Sequence, residues 1–186
     1  MRRFSLAITV AALAANVAGC GDDPQPKTQN DAAQAAAQQP RKQLTPQQQK
    51  AVSDAAGDGS AAGLGISDEI LQLCPQVKPP QFATDSSRVK NEFQDALVAL
   101  ADCMNTGNLK GRALVLVGHA DPRGEDDYNM SLGGRRADSV RSALNVLGVE
   151  EGRLDLSSRG EIDATGTDES GWAKDRRVDI AVKKDK

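Results

Sequence analysis

The sequence has few of the residues from which catalytic and metal centres are built. His119 is the only histidine, and the nearest hydroxyl residues in its polar stretch, Tyr128 and Ser131, do not stand in a nucleophile motif such as G-x-S-x-G. The acidic residues of 121–127 lack the alternating ligand spacing of a calcium loop, and a zinc site usually needs more histidine or thiolate. The sequence therefore argues against an enzyme and a metal centre, and it implies no cofactor. His119 is better interpreted as a residue that packs or caps a loop at a strand end.

The sequence also lacks an apolar run of the ~20 residues that cross a bilayer as a helix. Residues 1–20 read MRRFSLAITVAALAANVAGC, with two arginines, a shorter apolar core and small residues before Cys20. This pattern is typical of a secretory signal peptide, which we assign to residues 1–19. The ending VAGC resembles a bacterial lipobox and predicts cleavage before Cys20 and its lipidation, although an ordinary signal peptide with a coincidental cysteine is the alternative. Gly21, which is not Asp, favours sorting to the outer membrane.

Large aliphatic side chains are scarce in the segment that follows. Residues 21–50 contain nine glutamines and one large aliphatic residue, Leu44, and residues 51–65 add Gly, Ser and Ala. Such a segment buries too little apolar surface to offset its loss of conformational entropy. We therefore predict a disordered tether, with the lipidated cysteine and a flexible linker over residues 20–65 and the folded domain over residues 66–186.

Positive charge is not in excess, and cysteine is rare. The formal net charge is −3, and removal of residues 1–19 takes away two arginines and no acid, which gives −5. A mildly acidic chain argues against nucleic acid as a partner. Beyond Cys20 only Cys74 and Cys103 remain, and an oxidising compartment favours a disulfide between them over two buried free thiols.

The folded domain shows strand patterns that alternate with helix patterns. Helical spacing predicts helices over 67–73, 86–104 and 129–147, and apolar runs predict strands near 81–84, 112–118, 153–158 and 176–182. This alternation predicts an α/β (α+β) two-layer sandwich with a βαβαβ-type mixed sheet. We find no internal repeat and no second domain.

Two opposite charges stand where the second strand leads into the helix over 129–147. Arg136 lies four residues after Leu132 and four before Val140, so helix geometry places it on the row that packs inward. Buried charge needs a partner, and Asp121 lies at the end of the preceding strand, where such sheets often hold ligands. The two could form a bipolar cleft for a zwitterion, with Asp121 attracting an ammonium and Arg136 binding a carboxylate. An internal ion pair between them without a ligand is the alternative.

Residues 117–141, VGHADPRGEDDYNMSLGGRRADSVR, resemble the OmpA-like domain family, and within it the branch of peptidoglycan-associated lipoproteins, or Pal, of Tol-Pal systems. The resemblance covers roughly residues 80–184 and includes FATDSS at 82–87 and RRV at 176–178. It implies an outer-membrane lipoprotein that binds peptidoglycan non-covalently through meso-diaminopimelate, anchors the membrane to the cell wall and also binds periplasmic Tol proteins. A generic OmpA-like wall-binding lipoprotein outside a Tol-Pal system is the alternative.

The family motif also implies roles for individual residues. By this resemblance the ligand contacts are Asp121 at the amino end, Arg136 at the carboxylate, Asn129 through its amide at the helix start, and Asp85 and Arg176 at further positions. Asp175 departs from the pattern, because the family usually has asparagine before RRV. We expect it to weaken the ligand contact there or to pair locally with Arg177.

Overall fold

The computed structural model describes residues 43–55, 63–80 and 86–184 of the chain. The elements, in chain order, are α1 (Pro46–Ala55), β1 (Gly63–Ile66), α2 (Asp68–Leu73), α3 (Ser86–Asn105), β2 (Leu114–His119), α4 (Asp126–Val146), a 3-10 turn (Glu151–Arg153), β3 (Leu154–Gly160), α5 (Glu169–Asp175) and β4 (Arg177–Val182). Within these ranges, no helix is both long enough and apolar enough to cross a membrane.

The strands form one four-stranded mixed sheet in the order β1-β4-β2-β3. Strands β2 and β3 are parallel and are joined through α4, whereas β4 runs antiparallel to β2 and parallel to β1. The two-layer α/β sandwich with a mixed sheet that the sequence predicts is therefore confirmed. Because β2 and β3 are parallel, the loops after both strands meet at one end of the sheet, as in other β-α-β units.

Burial alternates along the strands, and this separates the two faces of the sheet. In β2 and β4 the residues Leu114, Leu116, Val178 and Ile180 are almost fully buried, while the positions between them are more exposed. Helix α3 places its regularly spaced apolar residues in the same core. One face of the sheet thus packs on the helices, and most side chains on the other face are more exposed.

The contact between β2 and α4 is made through backbone rather than side chains. A Cβ atom on Gly118 would lie 1.8 Å from the carbonyl oxygen of Gly133, which is closer than any real contact. Only glycine at these positions allows the strand and the helix to come so near. This approach sets where the first turns of α4 stand relative to the end of β2.

Two stretches of the region expected to be flexible linker are folded onto the domain. In α1, Val52 is fully buried and the Gln48 side-chain amide donates to the carbonyl of Val146, 3.3 Å away. In β1, Leu64 is buried and pairs with β4. The boundary at residue 66 is therefore corrected, since the folded unit also contains 43–55 and 63–65. The packing of α1 depends on tertiary contacts, which the composition of this polar segment does not reveal.

The last connection also differs from the sequence prediction, which places no helix between the strands near 153–158 and 176–182. It contains the short helix α5, and its N-cap residue Asp168 accepts a hydrogen bond from the Gly171 N–H at 2.8 Å. A carboxylate cap of this kind starts a helix even in a Gly- and Ser-rich sequence. The signal peptide, Cys20, Asp85 and the strand expected near 81–84 lie outside the described residues.

The two remaining cysteines are joined. Cys74, directly after α2, and Cys103, near the end of α3, form a disulfide with their Cα atoms 6.1 Å apart, and both residues are buried. This is the pairing that the sequence favours. The bridge ties α2 to the helix layer and closes a loop of the unfolded chain, which stabilises the fold.

Candidate functional site

The candidate site lies in the loop between β2 and α4. The loop begins at the carboxyl end of the parallel β2–β3 pair, where the Ala120 N–H donates to the carbonyl of Gly160 at 2.7 Å. Asn129, in the first turn of α4, is almost completely buried beneath the loop. Its Nδ2 donates to the carbonyls of Asp121 at 3.3 Å and Arg123 at 3.1 Å, and to the Glu161 carboxylate. Asn129 thus fixes the shape of the loop that carries Asp121.

Asp121 is only 9% exposed, and its carboxylate accepts four hydrogen bonds. Oδ1 accepts from the backbone N–H of Arg123 at 3.2 Å and from its Nε at 3.0 Å. Oδ2 accepts from Nη2 of Arg123 and from Nη1 of Arg176, both at 3.0 Å. These bonds, chiefly those from Arg123, lower the pKa of Asp121 to about 2 in spite of its burial. The carboxylate is therefore ionised at neutral pH.

Arg176 comes to the site from the far end of the chain. It caps α5 just before β4, and its side chain is 14% exposed. One end of its guanidinium group binds Asp121, and Nη2 donates to Oε1 of Glu169 at 2.8 Å. The sequence predicts Arg176 as a binding residue, and the structure brings it into direct contact with Asp121.

Arg136 stands in α4 behind the loop and is half-buried. Its Nη1 donates to the backbone carbonyl of His119 at 2.9 Å. Burial, together with the nearby positive charge of Arg176, lowers the pKa of Arg136, while Asp121 acts in the opposite direction. No ion pair joins Asp121 to Arg136, so the internal pair that the sequence left open does not form. Arg136 has no carboxylate partner within the described residues.

Sequence reasoning missed three residues of this site. Arg123 binds Asp121, and its guanidinium carbon lies 4.2 Å from the ring centroid of Trp172 in a cation–π contact. Its Nη1 lies 3.5 Å from Oε2 of Glu169. The Trp172 Nε1 donates to the carbonyl of Gly166 at 3.1 Å, which orients the ring. The one signal in the sequence is the spacing of Asp121 and Arg123, since an aspartate commonly bonds the backbone two residues on.

Asp175 does not pair locally with Arg177, which was one of the two sequence expectations. It is 3% exposed, and it accepts hydrogen bonds from the backbone N–H groups of Thr165 at 3.1 Å and Gly166 at 2.9 Å. Arg177, its expected local partner, instead donates from Nε to Asp179 at 3.1 Å. The Asp175 carboxylate therefore fixes the loop between β3 and α5.

His119 contributes its backbone to the site, and its ring lies elsewhere. The ring is buried on the face of the sheet opposite α4, with Nε2 3.0 Å from Oδ2 of Asp179 and Nδ1 3.6 Å from Oδ2 of Asp163. Neither approach is aligned for a hydrogen bond. Burial, followed by the charge of Arg177, lowers the pKa of His119 against the effect of the two carboxylates. The prediction of a packing residue agrees with this position.

The chain belongs to the OmpA family, whose model matches residues 81–178, more than half of the sequence. It is 43% identical over 101 residues to a peptidoglycan-associated lipoprotein of Pseudomonas putida, which covers 53% of this chain and 59% of that protein. It is 36% identical over 132 residues to the corresponding protein of Haemophilus influenzae, with 69% and 84% covered. The crystal structure of the Burkholderia pseudomallei peptidoglycan-associated lipoprotein is 35% identical, with a TM-score of 0.48 over 55% of this chain and 86% of that one. The chain spans about 59% of the length of the first of these relatives.

Proposed function

We propose that this chain is a lipid-anchored outer-membrane protein that binds peptidoglycan non-covalently and attaches the membrane to the cell wall without catalysing a reaction. Membership of the OmpA family and relatives named peptidoglycan-associated lipoproteins support the proposal. Within the chain, Cys20 would carry the lipid and the segment that follows would reach from the membrane to the wall. A role beside periplasmic Tol proteins belongs to the same proposal and would be tested by co-purification with them.

The ligand that fits the site best is the meso-diaminopimelate residue of the peptidoglycan stem peptide. Its side chain ends in an ammonium and a carboxylate on one carbon, so it needs an anion and a cation close together. Asp121 supplies an ionised carboxylate at the loop, and Arg136 supplies a guanidinium group on the adjoining helix. A guanidinium fork binds a carboxylate through two parallel hydrogen bonds.

The observation that carries this proposal is the state of Arg136. Among the described residues, Arg136 donates only to a backbone carbonyl, so most of the hydrogen-bonding capacity of this half-buried side chain is unused there. Burial lowers its pKa, in keeping with a guanidinium group that has no carboxylate partner among the described residues. A carboxylate from outside the described chain would supply that compensation.

The other predicted residues have supporting roles in this proposal. Arg176 orients Asp121 and adds positive charge near the ligand carboxylate. Asn129, whose amide hydrogens bond the loop and Glu161, acts as a positioning residue rather than as a direct contact. Asp85 precedes α3 and remains a proposed contact on the resemblance alone.

The test is co-sedimentation of the full chain with purified sacculi of the diaminopimelate type and of the lysine type. On diaminopimelate sacculi, Asp121→Ala and Arg136→Ala should each weaken binding at least about 30-fold, since truncating one partner of a desolvated charge contact costs roughly 2 kcal/mol or more. Lysine lacks the terminal carboxylate, so the effect of Arg136→Ala should nearly vanish on lysine-type sacculi while that of Asp121→Ala persists.

A matched control is available on the same helix. Arg141 of α4 is partly exposed and pairs with Asp138 and Glu151, away from the loop. Arg141→Ala should therefore leave sedimentation unchanged, and all variants should retain the circular dichroism of the parent. Full binding by both site variants would contradict the proposed function.

A further inference from the structure

The acceptor capacity of Asp121 is already used in full within the described residues. An ionised carboxylate offers about four lone-pair positions. The backbone N–H of Arg123, the Nε and Nη2 of its side chain, and the Nη1 of Arg176 occupy these positions at 3.0 to 3.2 Å. An incoming ammonium group therefore finds no acceptor on Asp121 until one of these donors leaves.

The donors differ in how easily they leave. The backbone N–H is part of the turn that Asn129 holds from below. Arg176 is 14% exposed and bridges Asp121 to Glu169, so withdrawing it would break two ion pairs in a mostly buried place. The Arg123 side chain, by contrast, is 50% exposed and lies on a loop. Its two bonds to Asp121 are the ones that solvent and a competing cation can reach.

A second carboxylate, that of Glu169, lies within reach of Arg123. Its guanidinium group lies over the Trp172 ring, and Nη1 is 3.5 Å from Oε2 of Glu169, which is itself 67% exposed. A small rotation over the ring would exchange the bonds to Asp121 for a closer pair with Glu169. The stacking contact on Trp172 does not depend on which carboxylate is the partner.

We infer that Arg123 occupies the ammonium position of the ligand site while the site is free, and that a ligand binds by displacing the Arg123 side chain from Asp121 toward Glu169. The inference rests on the proposed function and adds a selectivity rule to it. Only a ligand group that brings its own positive charge can replace both the charge and the hydrogen bonds of Arg123, because the remaining arginine, Arg176, contacts Oδ2 of Asp121 and leaves Oδ1 without a cation. An acylated, uncharged amine would leave the site closed.

The test compares Arg123→Gln with a matched control, Arg159→Gln, in the full chain. Arg159 is also about half exposed and also binds an aspartate, Asp163, through two hydrogen bonds, but it lies on the other face of the sheet. Because a half-exposed ion pair is weak, removing the competitor should tighten binding to diaminopimelate sacculi about two- to fivefold. Arg159→Gln should leave the affinity unchanged.

A second readout needs no ligand. The carboxyl carbon resonance of Asp121, followed by NMR during acid titration, should show a pKa of about 2 in the parent chain and a higher value in Arg123→Gln, because Arg123 is the largest cause of the lowering. Arg123→Lys should fall between the two, since it keeps the charge but loses the two-pronged contact. An unchanged Asp121 pKa in Arg123→Gln would overturn the inference.

The outcomes test the displacement of Arg123 by the ligand, called the exchange below, separately from the proposed function on which it depends. If the parent chain binds diaminopimelate sacculi and Arg123→Gln binds equally well or more weakly, Arg123 is not a competitor and the exchange is overturned alone. If the parent chain fails to bind such sacculi, the proposed function and the exchange are both overturned. Tighter binding by Arg123→Gln, together with a raised Asp121 pKa, supports both.

Discussion

Two clusters of charge lie on opposite faces of the sheet at the end of β2, and among the described residues they differ in whether every arginine has a carboxylate partner. The Asp121 cluster consists of Asp121, Arg123, Arg136, Glu169 and Arg176, and the His119 cluster consists of His119, Arg159, Asp163, Arg177 and Asp179. In the His119 cluster each arginine binds its own aspartate. In the Asp121 cluster Arg123 and Arg176 share the carboxylates of Asp121 and Glu169, and Arg136 has no carboxylate partner within the described residues.

The comparison of the two clusters indicates how a binding site differs from a structural cluster when both contain many charged residues. Buried or half-buried charges that are paired with each other stabilise a local conformation, and they leave no unpaired charged group that a ligand could bind. A cation that the protein desolvates without pairing is instead prepared for an anion from outside. The sequence gathers both clusters in one polar stretch and its partners, and only the side-chain contacts separate them.

The largest expected effect comes from separating β2 from α4, which should damage the Asp121 cluster and spare the His119 cluster. The Cβ atom of Gly118→Ala would lie 1.8 Å from the Gly133 carbonyl oxygen, so backbone must move. We expect a loss of roughly 1–3 kcal/mol in the free energy of unfolding, measured by urea denaturation. Sacculus binding should also fall, because Arg136 would be displaced from the carbonyl of His119.

The control for this variant is Gly152→Ala, at a glycine with no heavy atom within 4 Å of the added Cβ and no positive φ. It should change neither unfolding nor binding by a measurable amount. The His119 ring lies on the opposite face of the sheet, so its NMR titration should be the same in both variants. A shifted His119 titration in Gly118→Ala would show that the two clusters are not independent.

The second effect is the acid response of the Asp121 cluster. The pKa of Asp121 is lowered from 3.8 to about 2, so the folded state favours the ionised form. The resulting stability is present above pH 3.8 and is lost as the pH falls toward 2. It amounts to about 2 kcal/mol, from 1.36 kcal/mol per pKa unit.

Asp121→Asn tests this response, because asparagine has the same shape and cannot ionise. Its free energy of unfolding at neutral pH should be lower than that of the parent by up to the same ~2 kcal/mol. Its unfolding midpoint in urea should also lose the slope between pH 4 and pH 2. A parent-like slope in this variant would assign the acid response to another carboxylate.

The parts that sequence could predict are those that depend on local periodicity. The inward row of Arg136 follows from its spacing to Leu132 and Val140 in one helix, and the position of Asp121 follows from the end of an apolar strand. Both placements are consistent with the structure. The fold class is predicted for the same reason, because alternation of strand and helix patterns limits the arrangements that bury them.

The parts that sequence missed depend on contacts between distant segments. Trp172 meets Arg123 only because α5 folds back on the β2–α4 loop, and no spacing in the sequence marks that contact. Helix α1 packs through the buried Val52 in a polar segment, so composition alone predicts a linker there. Helix spacing predicts Arg136 as the partner of Asp121. In the structure its partners are instead Arg123, through the geometry of the turn, and Arg176, through tertiary folding.

The smallest expected effect is the pH response of the His119 cluster, and its sign shows which influence dominates there. Burial and Arg177 lower the pKa of His119, whereas Asp179 and Asp163 raise it, and Arg159 adds a smaller lowering effect. With the pKa lowered on balance, the stability that His119 contributes is present above its unfolded value of 6.5 and is lost as the pH falls below it. Urea unfolding of the parent between pH 7.5 and pH 5 should therefore show declining stability, and His119→Gln should flatten this decline. Stability that instead rises as the pH falls would mean that the charges of Asp179 and Asp163 outweigh the burial of His119 and the charge of Arg177.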